Sequence, residues 1–196
     1  MSFFNAILIA LNFHTPVAKA DINEVDRLPR LENIAHSIEI ASNKATCSEE
    51  FKDDNCKPIF GDRYLMAGMI LSLGKNETYF EKSIGAGECT KHSCGGKIKI
   101  NGKILFKAAS YWQIEKVYLM ALEEFESFIG LSLDNIIKAA IFVSMRLAGS
   151  YYVCGGIEGA FAGYAKSQTN CKWEPAKQRT KDALYYRSVI VSNLNE

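Results

Sequence analysis

Apolar residues recur at helical spacing over most of this chain, and one short stretch breaks the rule. In KIKINGKIL (97–105) the period drops to two, with Ile98 and Ile100 before Asn101-Gly102 and Ile104 after it. Asn-Gly between alternating apolar residues is the strongest short-range hairpin signal, because both central positions of the matching turn need positive φ. On either side the period returns to that of a helix. Leu31, Ile34, Ala35, Ile38 and Ala41 share one face of a first helix that should end before Cys47. Residues 49–57 are polar and precede Pro58, so they read as a loop. Leu65, Met66, Met69, Ile70 and Leu73 predict a second helix from about Asp62, ending or kinking at 74–77. Tyr118, Leu122 and Phe125 line a further helical stretch closed by Gly130. Ser132 is placed to cap the next, which carries Leu133, Ile136, Ile137, Ala140, Ile141 and Leu147. Residues 155–165 follow, and a last helix opens at Pro175 and runs through Leu184 and Ile190. The expected fold is mostly α (α+β): a helical domain with one small β-hairpin.

Lys and Arg total 23 against 22 Asp and Glu, a net charge of +1. That balance argues against a non-specific nucleic-acid binder, which needs a basic footprint. No apolar run reaches about 18 residues, so no integral membrane span is expected. A monomer without metal or cofactor is the expectation.

The N-terminus and the cysteines both point to export. Residues 3–13 (FFNAILIALNF) are apolar over signal-peptide length, and Ala18-Lys19-Ala20 supplies a small-x-small cleavage pattern before Asp21. Residues 1–20 are therefore read as a signal peptide and 21–196 as the domain; the alternative is an N-terminal helix packed on that domain. Cys47, Cys56, Cys89, Cys94, Cys154 and Cys171 allow 15 pairings. Proximity favours the loops 47–56, 89–94 and 154–171. A zinc site using Cys89, His92 and Cys94, or free thiols in a reducing compartment, are the other readings.

Three segments could carry chemistry. Glu77 follows a strongly apolar helix, where the C-terminal dipole and partial desolvation both favour a protonated carboxyl. Such a group can protonate a leaving oxygen; a solvated helix end is the plainer account. In AASYWQI (108–114), small Ala108, Ala109 and Ser110 precede Tyr111, Trp112 and the amide of Gln113. Small residues admit a close ligand, aromatics stack on sugars and an amide binds hydroxyl or N-acetyl groups; equally, Trp112 and Ile114 could be core. In GAFAGYA (159–165), small residues suit close helix packing, and the Tyr164 hydroxyl could reach Glu77.

In order, LMAGMILSLGKNETYF, GAGECTKHSC, the hairpin, AASYWQI and GAFAGYA resemble the lysozyme-like superfamily. The nearest branch is that of the soluble lytic transglycosylases (SLT) of bacteria and phages, with goose-type lysozymes as relatives. There an apolar helix ends in Glu-Ser, a Gly-Leu-Met-Gln-like or Gly-Leu-Trp-Gln-like segment follows, and an Ala-Tyr-Asn-like segment lies further on. Here these read Glu77-Thr78, Ser110-Tyr111-Trp112-Gln113 and Gly163-Tyr164-Ala165, over roughly residues 62–175. Thr78 stands for the usual Ser, Ser110 for Gly and Ala165 for Asn.

The resemblance implies a lysozyme-like fold and cleavage of peptidoglycan glycan strands in the periplasm, outside the cell or on a virion. Glu77 would be the single catalytic acid and Thr78, Ser110, Tyr111, Trp112, Gln113 and Tyr164 would line the glycan site. Lysozyme-type hydrolysis uses two carboxyl groups; Glu81 and Glu88 are near in sequence, but neither sits in a motif. The alternatives are a goose-type hydrolase and a non-catalytic wall-binding protein on the same fold.

Overall fold

The structure, a computed structural model, describes residues 1–16, 21, 23–48, 56–88, 97–100, 102–106, 108–115, 120–166 and 170–195. It is mostly helical with two small antiparallel sheets. In chain order the elements are α1 (Phe3–His14), α2 (Arg27–Thr46), α3 (Arg63–Thr78), α4 (Lys82–Gly85), β1 (Lys97–Ile100), β2 (Lys103–Phe106), β3 (Ala108–Ala109), β4 (Ile114–Glu115), α5 (Leu122–Glu126), α6 (Leu133–Cys154), α7 (Gly156–Ala165) and α8 (Pro175–Leu194).

Local chemistry sets most boundaries. The Asp62 carboxylate caps α3 by accepting from Leu65 N at 2.9 Å, Ser132 Oγ caps α6 by accepting from Asn135 N, and Pro175 opens α8. Strands β1 and β2 pair with Ile100 opposite Lys103, which leaves a two-residue connection. Gly102 has φ +82°, as that turn demands; Asn101 lies outside the described residues.

Two boundaries differ from the sequence reading. Helix α3 continues through Gly74 to Thr78. Gly74 does not end the helix; a Cβ there would lie 2.2 Å from the Phe80 ring, so its smallness admits that ring. Of the expected helical stretch through Tyr118, Leu122 and Phe125, the described part is the short α5, preceded by the β3–β4 pair; Tyr118 is outside the described residues. Gly130, at φ +121°, closes that region as expected.

One core unites the helices. Helix α3 lies against α8, and Gly68 makes the close approach possible, since a Cβ there would meet the Ala183 carbonyl oxygen at 2.4 Å. Helix α6 packs on α2 and α7; Gly159 and Gly163 of α7 face Cys154 and Ser150. By length and composition α6 could cross a membrane, but eight of its residues are buried in the fold. Helix α1, read from sequence as part of a signal peptide, buries Phe3, Ala6, Ile7, Ala10 and Leu11 and packs on α2 and α8.

Disulfides join Cys47 to Cys56 and Cys154 to Cys171, two of the three local loops expected. These four cysteines are not free thiols. Each loop removes unfolded-chain entropy; a loop of the second one's length contributes about 3 kcal/mol in the chain-entropy account. Cys89, His92 and Cys94 lie outside the described residues.

Candidate functional site

The last turn of α3 brings Glu77 and Thr78 against two distant segments. Thr78 is buried, and its Oγ1 donates to the Tyr111 carbonyl oxygen at 2.7 Å and accepts from Phe80 N at 3.1 Å. The hydroxyl therefore ties the end of α3 to the 110–113 turn and to its own C-terminal turn. Tyr79 and Phe80 both adopt positive φ there, 52° and 53°, so the chain reverses sharply after the candidate acid. Arg30 holds this reversal: its guanidinium donates to the Phe80 carbonyl oxygen and is paired with Asp21 and Glu24.

Between β3 and β4, residues 110–113 make a tight turn with Ser110 at φ 63° and Gln113 at φ 50°. Left-handed backbone at non-glycine residues is costly and persists only where surrounding contacts impose it. Here those contacts are the buried neighbours. Tyr111 and Trp112 are 1% and 0% exposed, and Trp112 Nε1 donates to the Ile70 carbonyl oxygen at 3.0 Å. Their rings, expected on a glycan groove, are core packing, and in this arrangement neither has a face open to a sugar. The Tyr111 hydroxyl sits against Gly85 and beside Arg30; burial pushes the phenol up to about 12, opposed by the Arg30 charge.

Ser110 and Gln113 are buried at the same turn. Ser110 Oγ accepts from Trp112 N at 3.3 Å, and Gln113 Nε2 reaches the Ser110 carbonyl oxygen at 3.5 Å. Gln113 Oε1 is buried with no hydrogen-bond partner. A buried orphan acceptor costs free energy until a donor arrives; the Tyr111 hydroxyl of the same turn is likewise buried without a hydrogen-bond partner.

Tyr164, on α7, donates its hydroxyl to the Trp112 carbonyl oxygen at 3.0 Å. It does not hydrogen-bond Glu77; the turn's backbone takes the proton instead. Burial raises the phenol's pKa, and the Glu77 charge raises it further, against the opposing charges of Arg146 and Arg179. Tyr164 and Glu77 are therefore close enough for the charge of one to bear on the other.

Glu77 is partly open, its side chain 23% exposed, and its Oε1 lies 2.6 Å from Arg179 Nη1. This counter-charge is the residue that sequence reasoning missed. A signal for it existed: Ala176, Ala183, Tyr186 and Ile190 form the buried stripe of α8, and Arg179 falls on that stripe at helical spacing. A charged residue on an apolar face demands a buried partner. Arg30 on the buried face of α2 follows the same logic. Of the other carboxylates, Glu81 is buried and accepts from Ser83 Oγ at 2.6 Å, Glu88 is exposed, and Glu115 on β4 is the one whose charge also bears on Tyr164.

Searches with this chain against protein-family models, curated proteins and solved structures return no match.

Proposed function

We propose that this protein is a peptidoglycan lytic transglycosylase on a lysozyme-like helical fold, with Glu77 as its single catalytic acid. One observation carries the reading: the three sequence segments that carry the family resemblance meet at one place. Thr78 and Tyr164, from α3 and α7, hydrogen-bond the adjacent carbonyl groups of Tyr111 and Trp112, with Glu77 beside them and partly open to solvent.

In the proposed reaction Glu77 protonates the glycosidic oxygen between N-acetylmuramic acid and N-acetylglucosamine, and the C1–O bond breaks. The substrate's own N-acetyl group stabilises the developing cation. Glu77, now a carboxylate, takes the proton of the C6 hydroxyl as its oxygen bonds C1, giving a 1,6-anhydro end. In this reading the rim around Tyr164 meets the ligand, and the buried Gln113 Oε1 is an acceptor for a donor that reaches the turn; Ser110, Tyr111 and Trp112 shape the wall from behind. Two disulfides fit an oxidising compartment, in keeping with periplasmic or secreted protein.

The test is a zymogram on purified cell wall with product mass. Clearing that releases ends one water lighter than hydrolysed ends, and that Glu77→Gln abolishes, supports the reading. Hydrolysed ends would make the protein a goose-type hydrolase. The Glu77–Arg179 ion pair favours, as second reading, a wall-binding protein without catalysis, for which wall retention without clearing is the expected result.

A further inference from the structure

We propose that Arg179 is a positioning residue for Glu77, holding its side chain at the site and supporting the negative charge it carries between its two proton transfers. The proposal rests on the transglycosylase reading for its chemistry, and on geometry for the contact itself.

Arg179 is 7% exposed, and its place is prepared from three sides. The Trp173 ring lies under the guanidinium, 4.4 Å from its carbon to the ring centroid. The Arg179 carbonyl oxygen accepts from Ser72 Oγ at 2.8 Å, which keys this turn of α8 to α3 one turn before Glu77. Gly68 lets the two helices approach closely enough for the Ser72 contact. Trp173 stands two residues after Cys171, whose disulfide to Cys154 fastens that loop to the end of α6.

The contact is close but not a locked fork. Arg179 Nη1 lies 2.6 Å from Glu77 Oε1, yet has no aligned hydrogen-bond acceptor. A bidentate pair would freeze the carboxylate; a single off-axis contact leaves Glu77 able to turn toward a substrate oxygen while the charge stays near. Arg179 remains protonated throughout, so it adds no proton to the reaction: one leaves Glu77 for the glycosidic oxygen and one returns from the C6 hydroxyl.

Lys75 on α3 is committed to Asp182 at 2.7 Å. From α7 the site is faced by Tyr164, on which the charges of Arg146 from α6 and Glu115 from β4 also bear. Arg179 is the cation in contact with Glu77 among the described residues.

The experiment compares wild type, Arg179→Gln and Arg179→Lys by two readouts. A double-mutant cycle followed by chemical denaturation needs no substrate: the stability losses of Arg179→Gln and Glu77→Gln should be non-additive in the double variant, and Arg179→Lys should lose less than Arg179→Gln. On cell wall, kcat should fall in Arg179→Gln with KM near wild type, and Arg179→Lys should restore most of it. The fall should be roughly 10- to 100-fold, because the carboxylate left after proton donation loses its support. If Arg179→Gln fails to fold, Trp173→Leu, which removes the ring beneath the guanidinium but keeps the charge, should move both readouts the same way by less. Additive stability losses in the folded variants would overturn the proposal whatever the activity. A wild-type protein that clears no wall would overturn the transglycosylase reading separately.

Discussion

Thr78 Oγ1 donates to the Tyr111 carbonyl oxygen across 2.7 Å, and through this bond the end of α3 is fastened to the turn that carries Gln113. The same oxygen accepts from Phe80 N. Thr78→Val removes both bonds at constant shape and leaves a buried carbonyl and a buried N–H unpaired. A loss of about 2–6 kcal/mol is expected, from about 1–3 kcal/mol for each of the two unsatisfied groups. Thr78→Ser should keep most of it. Chemical denaturation of the two variants checks this; equal stability of Val and wild type would remove the hydroxyl from the architecture of the site.

Tyr164→Phe deletes one hydroxyl whose partner is the Trp112 carbonyl oxygen. Stability should fall by about 1 kcal/mol, and any effect on turnover should come through the displaced 110–113 turn. Turnover and melting temperature measured on the same variant separate the two. A large loss of rate at unchanged stability would instead assign the hydroxyl to substrate.

Gly68→Ala places a methyl group 2.4 Å from the Ala183 carbonyl oxygen, a backbone atom that can yield only if α8 moves. Overpacking of this kind costs about 1–3 kcal/mol. The consequence for the site is specific: as α8 retreats, Arg179 leaves Glu77, and turnover should fall in the direction expected for Arg179→Gln. A destabilised variant with wild-type turnover would show that the two helices adjust without parting there.

Acid should loosen the protein through two carboxylates. Hydrogen bonds from Arg30 hold the Glu24 carboxyl below its ordinary range. Burial works to raise Asp182, but hydrogen bonds from Lys75 and Asn76 outweigh it and hold that group low as well. A depressed folded-state pKa contributes stability that is fully present above the unfolded value, about 4, and is lost as pH falls through the folded value. Melting temperature should therefore be flat near neutrality and fall below about pH 4. Asp182→Asn should show a smaller acid-dependent loss than wild type, and an equal loss would place the linkage elsewhere.

What the sequence by itself determined is what short-range physics controls. Apolar spacing set the faces of α2, α6 and α7; Ser132 and Pro175 marked helix starts; Asn101-Gly102 announced the β1–β2 hairpin; and near neighbours among the cysteines became two disulfides. Each depends on residues a few positions apart. Glu77 and Tyr164 could be singled out by type and order, but their partners could not. That Glu77 meets Arg179 follows from how closely α3 and α8 approach, which turns on Gly68 against a backbone oxygen far along the chain. The left-handed backbone of Ser110 and Gln113 has no local cause, since neither residue favours it; buried Tyr111 and Trp112 impose it. The aromatic pair that composition offered to a sugar went to the core for the same reason. Apolar area is removed from water wherever packing allows, and only the assembled helices decide which rings are covered.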